Sequence, residues 1–242
     1  MARIMNYASQ SDSLIMQHAE DYFLSEGGVI NEGEISTRLG LKGIPYLAEK
    51  IIVERDLSFL EEYMCRYHIS QISSKKTIAT IKKAKNDGKN FTSGVSINNL
   101  SLNENDIGDF KTFLKLSPPL RGESDRLALV DGINDGTIDV IVSDHKPEDE
   151  ESKRLTFSQA ATGASGIETL LSLALELFHN KSLKLHSIVA SLTSNPAKIL
   201  NIKKGSLDIG HDADLCILDI NKPFVVQKNT LKSKSKNTPI EN

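Results

Sequence analysis

The sequence predicts an α/β fold built on a parallel sheet, and three observations predict it. From residue 1 to about 200, short apolar runs alternate with longer stretches of helical period, the pattern of repeated βα units. Gly136-Thr-Ile-Asp-Val-Ile-Val-Ser-Asp144-His-Lys-Pro147 is a β-branched run of the kind a strand covered on both faces needs, and it ends abruptly on an acid, a histidine and a proline. After residue 200 the period changes: Gly205 to Gly210 and Ala213 to Asp219 read as two strands joined by a turn, a small appended β element.

The elements follow in order. A helix opens the chain, and Ser13-Leu-Ile-Met-Gln-His18 is the first strand. A glycine-rich stretch through Gly28, Gly33 and Gly43 leads to Pro45, which suits a first helical turn; Leu47, Ala48, Ile51 and Ile52 then share one face of a helix running to about Cys65. Tyr67 to Ser73 is a second strand, Lys75 to Lys85 a helix with a solvated lysine face, and Phe91 to Ile97 a third strand. Residues 98–122 read as a long loop, with Leu116-Ser-Pro-Pro-Leu-Arg121 too proline-rich for a regular element, and a loop of that length points to function. A helix over 124–134 feeds the strand that stops at Asp144. Ser165-Gly-Ile-Glu168 has the form of a capping box before a helix carrying Ile167, Leu170, Leu171, Ala174, Leu175 and Phe178 on one face. A further helix ends near Thr193, and Asn195-Pro196 starts a short one. The expected organisation is a sheet-and-helix domain over 1–200, the β element over 201–228, and a Lys/Ser/Asn-rich flexible tail over 229–242.

Composition excludes several functions. With 242 residues, 39% hydrophobic and 25% charged, the chain can bury a sizeable core, and a net charge of -3 offers no general attraction to phosphate backbones or anionic lipid. A nucleic-acid role and a membrane role are not expected, since no apolar run reaches the roughly 18–20 residues of a span and the start has no signal-peptide core. The expected location is cytoplasmic. Cys65 and Cys216 have no metal or redox spacing and read as core thiols.

The candidates for chemistry sit at strand ends. His18 closes the first strand beside Glu20 and Asp21, and Asp144 closes the fourth, where α/β barrels keep their reacting groups. An imidazole and a carboxylate converging from separate strands suit zinc or a similar divalent ion, although two ligands do not hold a catalytic zinc. In the strand from 67 to 73, alternation puts His68 and Gln71 on opposite faces; His68 reads as a packed residue, and an amide at Gln71 is a poor zinc donor. Dinucleotide, P-loop and nucleophile-elbow patterns do not occur.

Taken together, these segments resemble the dihydroorotase family of cyclic amidohydrolases. Gln17-His-Ala-Glu-Asp21 resembles its histidine-ligand motif, and Ser143-Asp-His-Lys-Pro147 with Lys153 its last-strand signature. Gly33 to Pro45, Leu116 to Arg121, Thr162-Gly-Ala-Ser-Gly-Ile-Glu168, Asn195-Pro-Ala197 and Gly210-His-Asp-Ala-Asp-Leu215 fall in the family's order. The resemblance implies a TIM (β/α)8 barrel, zinc, and reversible cyclisation of N-carbamoyl-L-aspartate to dihydroorotate in pyrimidine biosynthesis. It makes His18 and Asp144 metal ligands, Asp144 also the catalytic acid and base, and Ser117, Ala161 and Gly163 substrate-binding positions.

The chain departs from the family at three places. It has no His-x-His motif, the strand histidine expected in 67–73 is Gln71, and Glu148 stands where a histidine commonly follows the Asp-x-x-Pro pattern. With roughly four strands against the eight of a closed barrel, the expectation is a partial barrel, its carboxyl-terminal half, truncated at both ends and a doubtful catalyst alone. Open edges imply a complementary fragment or a homo-oligomer; Gln71 and the absent His-x-His favour a non-catalytic scaffold subunit beside aspartate transcarbamoylase, and a decayed fragment is the remaining alternative.

Overall fold

The computed structural model describes residues 1–240. In chain order its elements are α1 (Ala2–Ser9), β1 (Leu14–Gln17), α2 (Tyr22–Ser25), β2 (Ile30–Asn31), α3 (Glu34–Leu39), β3 (Gly43–Ile44), α4 (Leu47–Glu62), β4 (Arg66–Ile69), α5 (Lys75–Asn86), β5 (Thr92–Ser96), α6 (Ile97–Ser101), α7 (Glu123–Asn134), β6 (Val140–Val142), α8 (Glu150–Lys153), α9 (Leu170–His179), α10 (Leu185–Leu192) and α11 (Ser194–Ile199). Four strands form one parallel sheet in the order β1-β4-β5-β6, and β2 pairs with β3 beside it. Successive strands are joined through helices, as parallel pairing requires. The sheet has half the strands of an eight-stranded barrel.

Register and alternation give the two faces different characters. Tyr67, Ile69, Val95 and Ile141 point toward the helices and join Ile52, Val53, Leu57, Ile81, Leu129, Ile133 and Ile188 in one core. Each such side chain contributes about 1.5–3 kcal/mol by leaving water. Their strand neighbours face the other way: Met16 pairs with His68, His68 with Thr92, Gly94 with Val140, and Ser96 with Val142. At the β1 edge this second face is open, with Met16 56% exposed.

Local sequence explains the helices that brace the sheet. In α5 the residues Thr77, Ile78, Ile81 and Ala84 fall on one face, Ser74 caps the first turn through Lys76 N, and Lys83 and Lys85 lie at the negative end of the helix dipole.

Three expectations are corrected. The capping box at 165–168 does not form: α9 starts at Leu170 with no side-chain cap, and the Glu168 carboxylate instead accepts Lys232 N at 2.8 Å and Ser233 N at 2.9 Å. The appended β element is absent from the described residues, since 201–228 contain no strand and Leu207, Ile209 and Ile217 are 87%, 106% and 98% exposed. Alternation marks an apolar face but closes no ladder without a neighbouring edge. The expected flexible tail packs back onto the molecule, burying Leu231, Asn237 and Thr238. Its last two positions, 241 and 242, lie outside the described residues.

Candidate active site

The chain leaves β6 through a turn that places Asp144 in the left-handed region, φ 49°. For a residue with a side chain this costs about 1–3 kcal/mol and persists only where neighbours over-determine it. Those neighbours are the residues after Ala161. Gly166 sits so close to Ser143 that a Cβ there would fall 2.2 Å from the carbonyl oxygen, which makes glycine obligatory. His145 forms a parallel bridge with Ala164, Lys146 N donates to Ala164 O at 2.8 Å, and His145 Nδ1 accepts Gly166 N at 3.2 Å.

The Asp144 side chain meets the end of β4. Gln71 Nε2 donates to Asp144 Oδ1 at 2.7 Å. Burial pushes the Asp144 carboxyl above the usual carboxylate range, against the opposing pull of the Gln71 hydrogen bond, the charges of His18 and Lys146, and the Ser96 hydroxyl. His18, one residue past β1, lies 3.1 Å through Nε2 from Glu20 Oε2 and 3.3 Å from Ser117 Oγ. Ser117 Oγ also donates to Glu20 Oε2 at 3.4 Å. The His18 hydrogen bond is the main reason the Glu20 carboxyl falls below its ordinary value. Asp21 takes no part: it caps α2 through Leu24 N at 3.0 Å.

His18, Ser117, Gln71 and Asp144 therefore come together at the carboxyl end of the sheet. Ala161 and Gly163 line the adjoining loop, but their peptide groups are engaged internally. Ala161 N donates to Ser152 O at 3.0 Å and its carbonyl accepts Lys153 Nζ at 2.8 Å; Gly163 N donates to Lys115 O at 2.9 Å and its carbonyl accepts Asn237 Nδ2 at 3.2 Å. A ligand bound to this loop would compete with those bonds. His68 stays away from the mouth, buried with Nδ1 at 2.8 Å from Thr92 Oγ1, and burial lowers its pKa.

Three supports hold the site from outside the mouth. Glu49, on the buried face of α4, accepts Ser73 N at 2.9 Å, Ser73 Oγ at 2.5 Å and Ser74 N at 3.2 Å, fixing the segment that follows Gln71. Arg121 Nε donates to the same Ser73 Oγ at 2.7 Å, and its Nη1 donates to Asn31 Oδ1 at 2.8 Å. A glutamate inside an amphipathic helix and an arginine ending a proline-rich loop both read as surface residues until the fold encloses them. Lys115 of that loop and Lys153 at the end of α8 are the third support: Lys115 Nζ donates to Ser158 O and Ala160 O, Lys153 Nζ donates to Thr112 O and Ala161 O, and burial lowers the Lys153 pKa to about 8.

The donor set does not make a metal centre on its own. Among the described residues there is no group of three or more His, Cys, Asp or Glu side chains placed to hold a metal ion, whereas a catalytic zinc takes three protein ligands. One Asp144 oxygen is occupied by the Gln71 amide, and His18 is tied to Glu20 and Ser117.

Comparison with known proteins places the chain as a whole. The model of the amidohydrolase family matches residues 1–240. The dihydroorotase of Ehrlichia canis (strain Jake) is 42% identical over 243 residues, covering 100% of this chain and 54% of that protein. That of Syntrophus aciditrophicus (strain SB) is 44% identical over 239 residues, 99% of this chain and 56% of that protein. Among solved structures, L-hydantoinase (dihydropyrimidinase) from Arthrobacter aurescens superposes with a TM-score of 0.87 at 26% identity, over 99% of this chain and 55% of the other. Dihydropyrimidinase from Brevibacillus agri NCHU1002 gives 0.74 at 21% identity over 88% and 49%, a likeness of fold. The chain spans about half the length of the curated relatives it matches.

Proposed function

The chain belongs to the amidohydrolase family, and from that premise we propose that it supplies the proton-transfer and substrate-facing half of a dihydroorotase, a cytoplasmic enzyme that interconverts dihydroorotate and N-carbamoyl-L-aspartate. The observation that carries the reading is the Asp144 carboxyl, half-buried at the mouth, raised in pKa by burial and held by Gln71 with its second oxygen outside that bond. A carboxyl raised above its ordinary pKa is a better proton donor to the amide nitrogen that leaves when water opens the ring than an ordinary carboxylate, and it can take the proton back from the ureido nitrogen when the ring closes. Gln71 fixes the carboxyl plane, and Ser117 with His18 offers polar contacts across the mouth.

Zinc is the cation the resemblance implies, and His18 with Asp144 would be this chain's contribution to its ligands. The set falls short of three, so the proton steps are assigned to protein groups alone. Four strands do not close a barrel, and the working form needs a complementary set of four. The test is ring opening of dihydroorotate by the chain alone and after mixing with the part of the Ehrlichia canis dihydroorotase to which it does not align. Turnover is expected in the mixture, falling about 10²–10⁴-fold with Asp144→Asn. No turnover in either state would remove the catalytic reading. A scaffold role beside aspartate transcarbamoylase is the second reading, favoured by the internally satisfied Gln71–Asp144 pair; co-purification unaffected by Asp144→Asn would support it.

A further inference from the structure

We propose that residues 231–238 form a strap that fixes the Asp144 loop in its working geometry, with Asn237 as the positioning residue. The proposal rests on the reading of Asp144 given above. Asn237 is 3% exposed and touches both loops that shape the mouth. Its Oδ1 accepts Glu148 N at 3.3 Å and Ser165 Oγ at 3.3 Å, its Nδ2 donates to Gly163 O at 3.2 Å, and its carbonyl accepts Ser165 N at 3.1 Å. One side chain thus ties the segment after Asp144 to the segment that begins with Ala161.

Further contacts anchor the strap on each side of that bridge. Ser235 Oγ donates to Glu148 O at 2.5 Å and also bonds Asn237 Oδ1, while the Glu168 carboxylate accepts both Lys232 N and Ser233 N. Lys236 closes the strap on itself through Leu231 O and Ser233 O, so the segment docks as a preformed turn. The geometry being held is the costly one. Asp144 has a left-handed backbone, and Gly163, at φ 137°, lies where a Cβ would meet Lys146 O at 2.7 Å. Pairing of 145–146 with 164–166 keeps the two loops in that register, and Asn237 closes the pairing from behind. An asparagine suits the post because one amide both donates and accepts; neither alanine nor aspartate can do both.

Backbone amide exchange of the full chain reads this directly. Asn237→Ala should speed exchange about tenfold or more at Lys146, Glu148 and Gly163 while Val95 and Ile141 in the sheet keep wild-type rates. Asn237→Asp keeps the acceptor for Glu148 N and loses the donor to Gly163 O, so Glu148 should stay near wild type while the loop after Ala161 loosens and Lys146, whose N–H is held by Ala164 O, exchanges faster. Unchanged rates at Lys146, Glu148 and Gly163 in Asn237→Ala would overturn the strap, as would equal acceleration of loop and sheet. If Asn237→Ala does not fold, Glu168→Gln loosens only the Lys232 and Ser233 anchor; faster exchange at Glu148 then supports the strap, and wild-type rates overturn it. In the completed enzyme, Asn237→Ala should raise the dihydroorotate KM about tenfold, with Asn237→Asp in between. An assembly that is inactive even with Asn237 intact removes the catalytic reading of Asp144 and leaves the exchange result to decide the strap.

Discussion

Residues 138–142 and 205–219 both read as strands in the sequence and end in different structures. The first run lies beside β5 and beneath α10, with Ile138, Val140 and Ile141 buried, and it delivers Asp144 to the mouth. The second stands in solvent without a ladder, its apolar residues exposed and Lys204 bridging Asp212 and Asp214. Alternation tells which side chains want cover; a strand forms only where a neighbouring edge supplies the hydrogen bonds. The same contrast separates the two faces of the sheet, one sealed by helices and one open at β1.

The strongest test of that contrast lies at the strand end to which the proposal assigns chemistry. Asp144→Asn should cut turnover of the completed enzyme by about 10²–10⁴-fold while the fold survives, because asparagine tolerates the left-handed backbone. Next comes Ile141→Ala, expected to lower stability by about 2–5 kcal/mol in chemical denaturation, since the cavity opens inside the helix-covered core. Tyr67→Phe follows at about 1–3 kcal/mol: the Tyr67 hydroxyl donates to buried Asp56 Oδ2 at 2.7 Å, and the carboxylate would lose that donor. Its phenol is pushed up by burial and by Asp56, so it stays protonated throughout.

The pH dependence has a definite sign. Asp144 has a folded pKa above its ordinary value of 3.8, so its contribution to stability is complete below that value and is lost as pH rises through the folded pKa. Denaturation midpoints across the acid range should fall less steeply with rising pH in Asp144→Asn than in wild type; parallel slopes would contradict the burial of this carboxyl. The smallest effect belongs to Ile217→Ala, within about 0.5 kcal/mol, because nothing packs on that side chain. A loss above about 2 kcal/mol there would break the contrast by revealing cover for the 205–219 segment.

Much of this arrangement could be read from residues alone, and the reasons are local. The parallel sheet and its helices announced themselves through the runs read at 13–18, 67–73, 91–97 and 136–144, where the structure has strands at 14–17, 66–69, 92–96 and 140–142, and strand ends on His18 and Asp144 pointed to the mouth. What escaped depended on long-range enclosure. Glu49 and Arg121 look like surface charges until α4 and the proline-rich loop fold over Ser73. Glu168 fits a capping box but finds better donors 64 and 65 residues away. Asn237 sits in a polar stretch whose composition reads as a tail, and only the fold shows that it satisfies four loop groups.

A double-mutant cycle on unfolding free energy between Gln71→Ala and Asp144→Gly asks whether the ends of β4 and β6 meet, with glycine chosen to keep the left-handed backbone. A coupling of about 0.5–3 kcal/mol is expected for side chains in direct hydrogen-bond contact. Additive effects would mean that the two groups do not face one mouth, and the catalytic reading of Asp144 would fall with them.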